Sequence, residues 1–252
     1  MEIVFLTALG VGGSTALGAV IGFIFRGFAA RRAAVVTSFA AGVMLAATVI
    51  GLLMPAVEYA TAEVGVLGAL VPIFAIFVGA LFVNLIDMAV PRLTALASAG
   101  CERCERLRRT LLFVMAIAIH NLPEGIAAGV GFGTGNPEEA FLIAGAVALQ
   151  NIPEGMVIIA PMLSAGISPA RTLLYATLTG LVEVVGTLIG YFGVALASAV
   201  LPFALAFAGG TMLYVINEEM IPSSHTGEGE RGVAYAYLVG FAAIIFLDVL
   251  LG

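Results

Sequence analysis

Two matching six-residue motifs hold most of the side chains that could do chemistry in this chain. The first is His120-Asn121-Leu122-Pro123-Glu124-Gly125 and the second is Gln150-Asn151-Ile152-Pro153-Glu154-Gly155, with four of six positions identical. Residues four apart stack on one helix face, so the His or Gln, the Asn and the Glu of each motif should converge. Imidazole, amide and carboxylate groups together are a ligand set for a divalent transition metal.

The prolines of the two motifs add backbone acceptors. Pro123 cannot donate to the carbonyl oxygen of Ile119, and Pro153 cannot donate to that of Leu149. At membrane depth these freed oxygens must be satisfied by side chains, water or an ion.

A third carboxylate, Glu183, lies deep within an otherwise apolar run. Burying a carboxylate in a membrane costs about 2.5 to 3.5 kcal/mol, and no Lys or Arg within the apolar runs balances the charge. Protons or metal cations must therefore supply the balancing positive charge. Two divalent ions bridged by Glu124 and Glu154 would roughly balance the three carboxylates.

The elements that carry these residues must be membrane helices. Of 252 residues, 62% are hydrophobic and 10% are charged, which excludes a water-soluble globule. Apolar runs with polar breaks predict eight spanning helices and leave no room for a soluble domain, so residues 1–252 should form a single transmembrane domain. The predicted spans are 3–25, 33–56, 66–90, 110–132, 139–164, 169–199, 201–221 and 233–251.

The motifs fall at matching depths in the fourth and fifth spans. Each begins about 11 residues into its span, roughly 16 Å deep, which is close to the middle of the hydrocarbon core. Because consecutive spans run antiparallel, the two copies should meet at the midplane as an inverted pair, which is typical of a transporter site. Polar side chains that only join helices are the alternative reading of such residues.

Charge bias predicts the orientation. If both termini face outward, all ten basic residues lie in cytoplasmic loops. They are Arg26, Arg31, Arg32, Arg92, Arg103, Arg106, Arg108, Arg109, Arg171 and Arg231. The start of the chain lacks the positive region of a cleaved signal peptide, so we expect a retained first helix in the plasma (cytoplasmic) membrane. No continuous basic surface is available for nucleic acid.

At the two six-residue motifs of the fourth and fifth spans, the sequence resembles the Zrt/Irt-like (ZIP) family of divalent metal transporters. It is particularly similar to the bacterial members, which have eight spans and both termini outside. The resemblance covers the whole chain in span count, and it implies a ZIP-like helical bundle with inverted repeats. It also implies two adjacent metal sites. The first would contain His120, Glu124, Gln150 and Glu154, and the second Asn121, Glu124, Asn151, Glu154 and Glu183.

The resemblance implies one further ligand, and two residues of this chain depart from the family's pattern. Met44 in the second span matches a thioether ligand of some members. Gln150 stands where many members carry His, and Asn151 stands where a similar protein carries Asp, so the site here has less negative charge.

Charged residues nearer the membrane surfaces are further candidates. Asp87 and Glu219 lie near the cytoplasmic ends of their spans and could be exit stations for the ion, although an interfacial carboxylate is often only solvated. Glu58 and Asp248, near the external ends of their spans, and Glu218, near the cytoplasmic side, are candidates of the same kind. The loop pair Cys101 and Cys104 supplies only half of a tetrahedral site, and we read it as reduced thiols in a solvated loop.

These observations predict a divalent-metal importer, not an enzyme. Its substrate would be Zn2+, with Cd2+, Fe2+ and Mn2+ as alternatives, and its partners would be these ions, membrane lipid and, in a homodimer, a second copy. A metal-dependent intramembrane hydrolase is one alternative, but zinc proteases need two His on the motif helix and here there is one. A cation channel with a carboxylate constriction is the other, and flux measurements must separate it from a carrier.

Overall fold

The computed structural model describes residues 2–26, 32–95, 102–132, 137–196, 200–224 and 230–251. Within these ranges the backbone is helical apart from short turns, and no strand occurs. The helices form eight long segments, named α1 to α8 in chain order. The predicted all-α fold with eight helices is confirmed.

Six of these segments are uninterrupted α-helices: α1 (Glu2–Ile24), α3 (Leu70–Ala95), α4 (Glu102–Gly131), α5 (Pro137–Ser164), α6 (Pro169–Leu196) and α8 (Glu230–Leu251). The segment α2 consists of Ala33–Ala47, a π-helical stretch at Thr48–Leu53 and Met54–Val64. The segment α7 consists of Leu201–Val215, a π-helical stretch at Ile216–Met220 and Ile221–Ser224. A short 3-10 turn at Gly65–Ala69 precedes α3.

Length and composition make the chain an integral membrane protein. Seven stretches of the described residues are long and apolar enough to cross a membrane, one in or beside each segment except α4. The 30 residues of α4 would extend about 45 Å, more than the hydrocarbon thickness. Large apolar side chains on the outer faces of these helices are exposed, as expected for surfaces that contact lipid.

The helices divide into two groups by their packing. In the first group α4 packs along α6, α1 packs along α5, and α1 crosses α6. In the second, α2 packs along α8 and α3 packs along α7. We name α1, α4, α5 and α6 the site bundle and α2, α3, α7 and α8 the flanking bundle. The two bundles meet where α2 contacts α5 and where α4 contacts α7.

A pseudo-twofold relation pairs α1 with α6, α2 with α7 and α3 with α8, and it also pairs α4 with α5. Gly42 of α2 lies against the backbone of Tyr237 in α8, and Gly210 of α7 lies in the same way against Ile76 in α3. Glycines in α1 contact α5 as their counterparts in α6 contact α4. The counterparts are Gly18 and Gly186, and Gly22 and Gly190. The members of each pair are 168 positions apart in the sequence, as are Thr15 and Glu183. Because α6 comes five spans after α1, the two helices run in opposite directions and the halves are inverted, as predicted.

The predicted loop at about 91–109 is partly wrong. Helix α3 continues to Ala95, and α4 begins at Glu102, well before the predicted start at 110. The residues of this early turn are mostly Glu and Arg, which favour helix and remain solvated when a helix leaves the membrane. Apolar periodicity marks only the buried length of a helix, so it misses such extensions. Cys101 and His225 lie outside the described residues.

Candidate metal centre

The two motifs lie in the middle of α4 and α5, where the sequence placed them. Each helix continues through its motif proline. The glycine that follows the glutamate brings a neighbouring helix into backbone contact. A Cβ on Gly125 would lie within 3.0 Å of the carbonyl oxygen of Glu183, and one on Gly155 within 3.0 Å of that of Thr15. Small residues at these points allow α6 and α1 to approach the polar side chains.

Glu183 is the centre of the hydrogen-bond network. Its side chain is fully buried and accepts hydrogen bonds from three other helices. Thr15 of α1 donates to Oε1 at 2.9 Å, Asn121 of α4 donates to Oε1 at 2.6 Å, and Asn151 of α5 donates to Oε2 at 2.5 Å. One carboxylate therefore joins all four helices of the site bundle.

Gln150 connects the two motifs directly. Its Nε2 donates to Oε2 of Glu124 across the α4–α5 contact and also to Oδ1 of the adjacent Asn151. Glu124 and Gln150 are both buried, with 2% and 1% of their surfaces exposed. Hydrogen bonds thus run continuously from Glu124 through Gln150 and Asn151 to Glu183.

Two buried oxygen atoms of this network have no hydrogen-bond partner among the side chains that the structure describes. They are Oδ1 of Asn121 and Oε1 of Gln150. Buried polar atoms are almost always paired, and an unpaired acceptor in a polar site suggests a function such as coordination of a cation. Amide oxygens are suitable ligands for a divalent ion, especially beside carboxylates. The residues present therefore fit a metal ion as substrate.

The negative charge of the buried carboxylates also favours the binding of a metal cation. Glu124 and Glu183 are buried, and Glu154 is half-buried one turn beyond Gln150. Among the described side chains, the three arginines, Arg26, Arg32 and Arg171, are all exposed. No described basic side chain neutralises the carboxylates, so a cation can bind there with favourable electrostatics.

The structure brings together six of the predicted ligands and describes only the backbone of three others. The convergent residues are Asn121, Glu124, Gln150, Asn151, Glu154 and Glu183, all on the site bundle. Met44 is buried in α2 of the flanking bundle, within the apolar cluster that also contains Val147 and Met212. The backbone of His120 lies one turn before Glu124 in α4, but its side chain lies outside the part that the structure describes, as do those of Asp87 and Glu219.

The described residues hold no group of three His, Cys, Asp or Glu side chains at metal-binding distances. The six convergent residues are instead three carboxylates and three amides.

Sequence reasoning missed the contribution of α1. Thr15 donates to Glu183, and the carbonyl oxygen of Val11 accepts a 3.2 Å hydrogen bond from Nδ2 of Asn151. Neither residue is charged, and nothing in the local pattern separates Thr15 from other small residues of α1. The usable signal was the run Gly12-Gly13-Ser14-Thr15, which predicts a close helix contact.

The site is sealed on one side. On the side where α1, α5 and α7 begin, which we name the terminal side, apolar residues of both bundles pack above the motifs. They include Met44, Leu52, Ala127, Val130, Ile143, Val147, Leu205 and Met212, all buried. On the opposite side, residues of α2, α5 and α8, Pro153 among them, line an open apolar cavity of about 440 Å³.

The fold and this centre define an integral membrane protein with a buried network of carboxylate and amide side chains. The profile of the family described as ZIP Zinc transporter matches residues 96–248. The chain belongs to this family.

Relatives extend the match over almost the whole chain. The zinc transporter GufA of Myxococcus xanthus is 40% identical over 70% of this chain and 70% of its own length. The zinc transporter ZIPB of Bordetella bronchiseptica is 34% identical over 95% of this chain and 78% of its own. The zinc transporter ZupT of Chlorobaculum parvum is 32% identical over 98% of this chain and 96% of its own.

Proposed function

We propose that this protein carries Zn2+ from the outside of the cell into the cytoplasm through the network around Glu124 and Glu183. The observation that supports this most directly is the pair of unpartnered amide oxygens beside buried carboxylates. The relatives named zinc transporters support Zn2+ as the substrate. Fe2+, Mn2+ and Cd2+ suit the same ligands and are its natural competitors.

The proposed ligands form two adjacent sets that share Glu124 and Glu154. The first set adds His120, Gln150 and, from the flanking bundle, Met44. The second set adds Asn121, Asn151 and Glu183. Each set contains one of the two unpartnered oxygens, Oε1 of Gln150 in the first and Oδ1 of Asn121 in the second. Either set could therefore accept a cation without first breaking a hydrogen bond of that oxygen.

The packing favours alternating access over a fixed pore. Apolar side chains fill the space above the site on the terminal side, whereas an open cavity is lined by residues of both bundles on the other side. With the termini outside, as the arginine distribution favours, this conformation is closed to the exterior. Movement of one bundle against the other would open the sealed side and close the opposite one.

The site bundle is suited to move as one body. Its helices touch through backbone, since a Cβ added to glycines of α1, α4, α5 and α6 would lie within 3.0 Å of a carbonyl oxygen of a neighbouring helix. Contacts across the boundary use side chains instead, as where Ile143 of α5 packs over Gly51 of α2. Close packing at these glycine contacts leaves the helices of the site bundle little room to shift relative to one another.

The remaining assignments follow from the same orientation. We propose that residues 1–252 form one transporter domain in the plasma membrane, and that Asp87 and Glu219 receive the ion on the cytoplasmic side. A homodimer through exposed apolar helix faces is compatible with lipid-facing small residues.

Uptake into liposomes tests the proposal. Purified protein is reconstituted with a trapped Zn2+ indicator, and the native chain is compared with Glu124→Ala and Glu154→Ala. The matched control is Glu2→Ala, because Glu2 is exposed at the start of α1. We expect saturable uptake by the native chain and the control and none by the two site variants.

Competition with Cd2+, Fe2+ and Mn2+ then ranks the substrates. Equal uptake by native and site variants would contradict the proposed path, and uptake that never saturates would favour a channel.

A further inference from the structure

We propose that Thr15 is a positioning residue that holds Glu183 in place and thereby sets the affinity of the site for its metal ion. This inference rests on the proposed function. Thr15 is fully buried in α1, and its hydroxyl donates to Oε1 of Glu183 at 2.9 Å. It belongs to neither proposed ligand set, so it acts on the ion only through the carboxylate.

The hydroxyl of Thr15 is directed away from its own helix. A threonine within a helix usually donates to the carbonyl four residues earlier, as Thr48 does to Met44 and Thr187 does to Glu183. For Thr15 that carbonyl belongs to Val11, which already accepts from Asn151 and from Ser14. Thr15 therefore donates across the helix boundary.

Backbone contacts fix the position of Thr15 relative to the site. A Cβ on Gly155 would meet the carbonyl oxygen of Thr15 within 3.0 Å, so α5 rests directly on this residue. A Cβ on Gly180 would lie 3.2 Å from the Cβ of Thr15, one turn before Glu183 in α6. The hydroxyl is thus placed by two helices that also carry site residues, and its rotation is limited.

The pseudo-twofold relation gives this position its meaning. Thr15 is 168 residues from Glu183, the same offset that matches the glycines of α1 with those of α6. The same relation matches Asn121 with Asn151, and both of these asparagines donate to Glu183. Thr15 therefore occupies the position that is symmetric to Glu183, and its hydroxyl stabilises the Glu183 carboxylate.

Thr15 differs from the other two donors in how it would respond to an ion. Asn121 and Asn151 are proposed ligands, and their amides must adjust when their oxygens bind metal. Thr15 has no such second task, so its hydrogen bond can persist in the empty and the loaded site. Hydrogen bonds to charged groups are among the stronger ones in proteins, and preorganised ligands bind with less loss of entropy.

Two substitutions separate positioning from packing. Thr15→Val keeps the shape and removes the hydroxyl, whereas Thr15→Ser keeps the hydroxyl and removes a methyl group. We expect Thr15→Val to raise the KM for Zn2+ uptake about tenfold with kcat within about twofold, and Thr15→Ser to stay near the native KM. A role in packing alone would give the opposite order, with Thr15→Ser, which loses a methyl group, more harmful than Thr15→Val, which keeps the shape.

A double-mutant cycle with Glu183→Gln identifies the partner. The dissociation constant for Zn2+ is measured on the four purified proteins by titration calorimetry, which does not require transport. We expect Thr15→Val to weaken binding about tenfold in the native background and less than about twofold beside Glu183→Gln.

Equal effects in both backgrounds, or an unchanged KM for Thr15→Val, would overturn the inference while leaving the proposed function standing. A native protein that neither binds nor transports Zn2+ would overturn both.

Discussion

Gly12 of α1 and Gly180 of α6 meet backbone to backbone, and a Cβ on either one would lie within 3.0 Å of the other's carbonyl oxygen. The two positions are pseudo-twofold counterparts, so the crossing lies on the symmetry axis of the protein. One turn further along each helix lie Thr15 and Glu183. A backbone-to-backbone helix contact in the site bundle thus supports the hydrogen bond at its centre.

Alanine at this crossing should destabilise the fold. Gly12→Ala would force α1 and α6 apart, and overpacking of this kind costs roughly 1 to 3 kcal/mol. We expect a fall of several degrees in the melting temperature of the detergent-solubilised protein. The matched control is the adjacent Gly13→Ala, since a Cβ there meets nothing within 4 Å. Equal melting temperatures for the two variants would argue against a tight crossing.

A disulfide across the bundle boundary should stop transport. Ile143 lies between two glycines, one in each bundle. A Cβ on Gly51 of the flanking bundle would be 3.9 Å from the Cβ of Ile143, and one on Gly131 of the site bundle would be 3.7 Å away. Both distances suit a disulfide. In a background with Cys101 and Cys104 replaced by serine, oxidised Gly51→Cys/Ile143→Cys should lose uptake and recover it on reduction.

The control for this experiment uses the same Ile143→Cys with Gly131→Cys. That disulfide joins two helices of the site bundle, so oxidation should leave uptake largely unchanged. Loss of uptake in both oxidised pairs would mean that the site bundle flexes internally and does not move as one body.

Much of the fold could be predicted from sequence because lipid imposes simple rules. An apolar run of about 20 residues is a spanning helix, and a charge inside such a run is functional by default, which identifies Glu124, Glu154 and Glu183. Thr15 could not be found in this way. An uncharged hydroxyl in an apolar helix gives no local signal, and its partner depends on a helix crossing 168 residues away.

The division into two bundles and the π-helical stretches were also beyond the sequence rules. Thr48–Leu53 and Ile216–Met220 occupy matching positions in α2 and α7, yet their residues share no pattern. A π-helical turn depends on how a helix packs against its neighbours more than on its own residues. The spacing of Gly42 and Gly210 was visible in the sequence, and it could have revealed the repeat.

Replacing Asn151 by Asp should make stability depend more strongly on the metal ion. Nδ2 of Asn151 donates to Glu183 and to the carbonyl oxygen of Val11, both of which are acceptors. A carboxylate there loses both bonds and repels Glu183, at a cost of about 2 kcal/mol or roughly 5 °C without metal. Added Zn2+ should raise the melting temperature of Asn151→Asp more than that of the native chain, because an ion relieves the repulsion.

The matched control for that measurement is Asn217→Asp. Asn217 is exposed in α7 and also donates to a carboxylate, Glu218, at 3.0 Å. Solvent screens the resulting repulsion, so its melting temperature with and without Zn2+ should stay close to that of the native chain. A similar response of the two variants to Zn2+ would contradict the assignment of Asn151 to the site.

Exchanging the two symmetric residues should move the carboxylate across the axis without abolishing the site. Glu183→Thr alone removes the centre of the network, and we expect no measurable Zn2+ uptake. In Thr15→Glu/Glu183→Thr the carboxylate moves to α1, where the inverted repeat again places Asn121 and Asn151 beside it. We expect about a tenth of native uptake to return, since the exchanged hydrogen bonds will not match the originals in full.

The comparison for this exchange is Ser14→Glu/Glu183→Thr. Ser14 is buried next to Thr15 but is not the counterpart of Glu183, and its hydroxyl donates within α1 to Val11. A carboxylate there points along a different face of the helix, so uptake should stay absent. Recovery in both double variants would show that any added carboxylate suffices, and recovery in neither, with both proteins monodisperse in detergent, would mean that the site is not symmetric about the Gly12–Gly180 crossing.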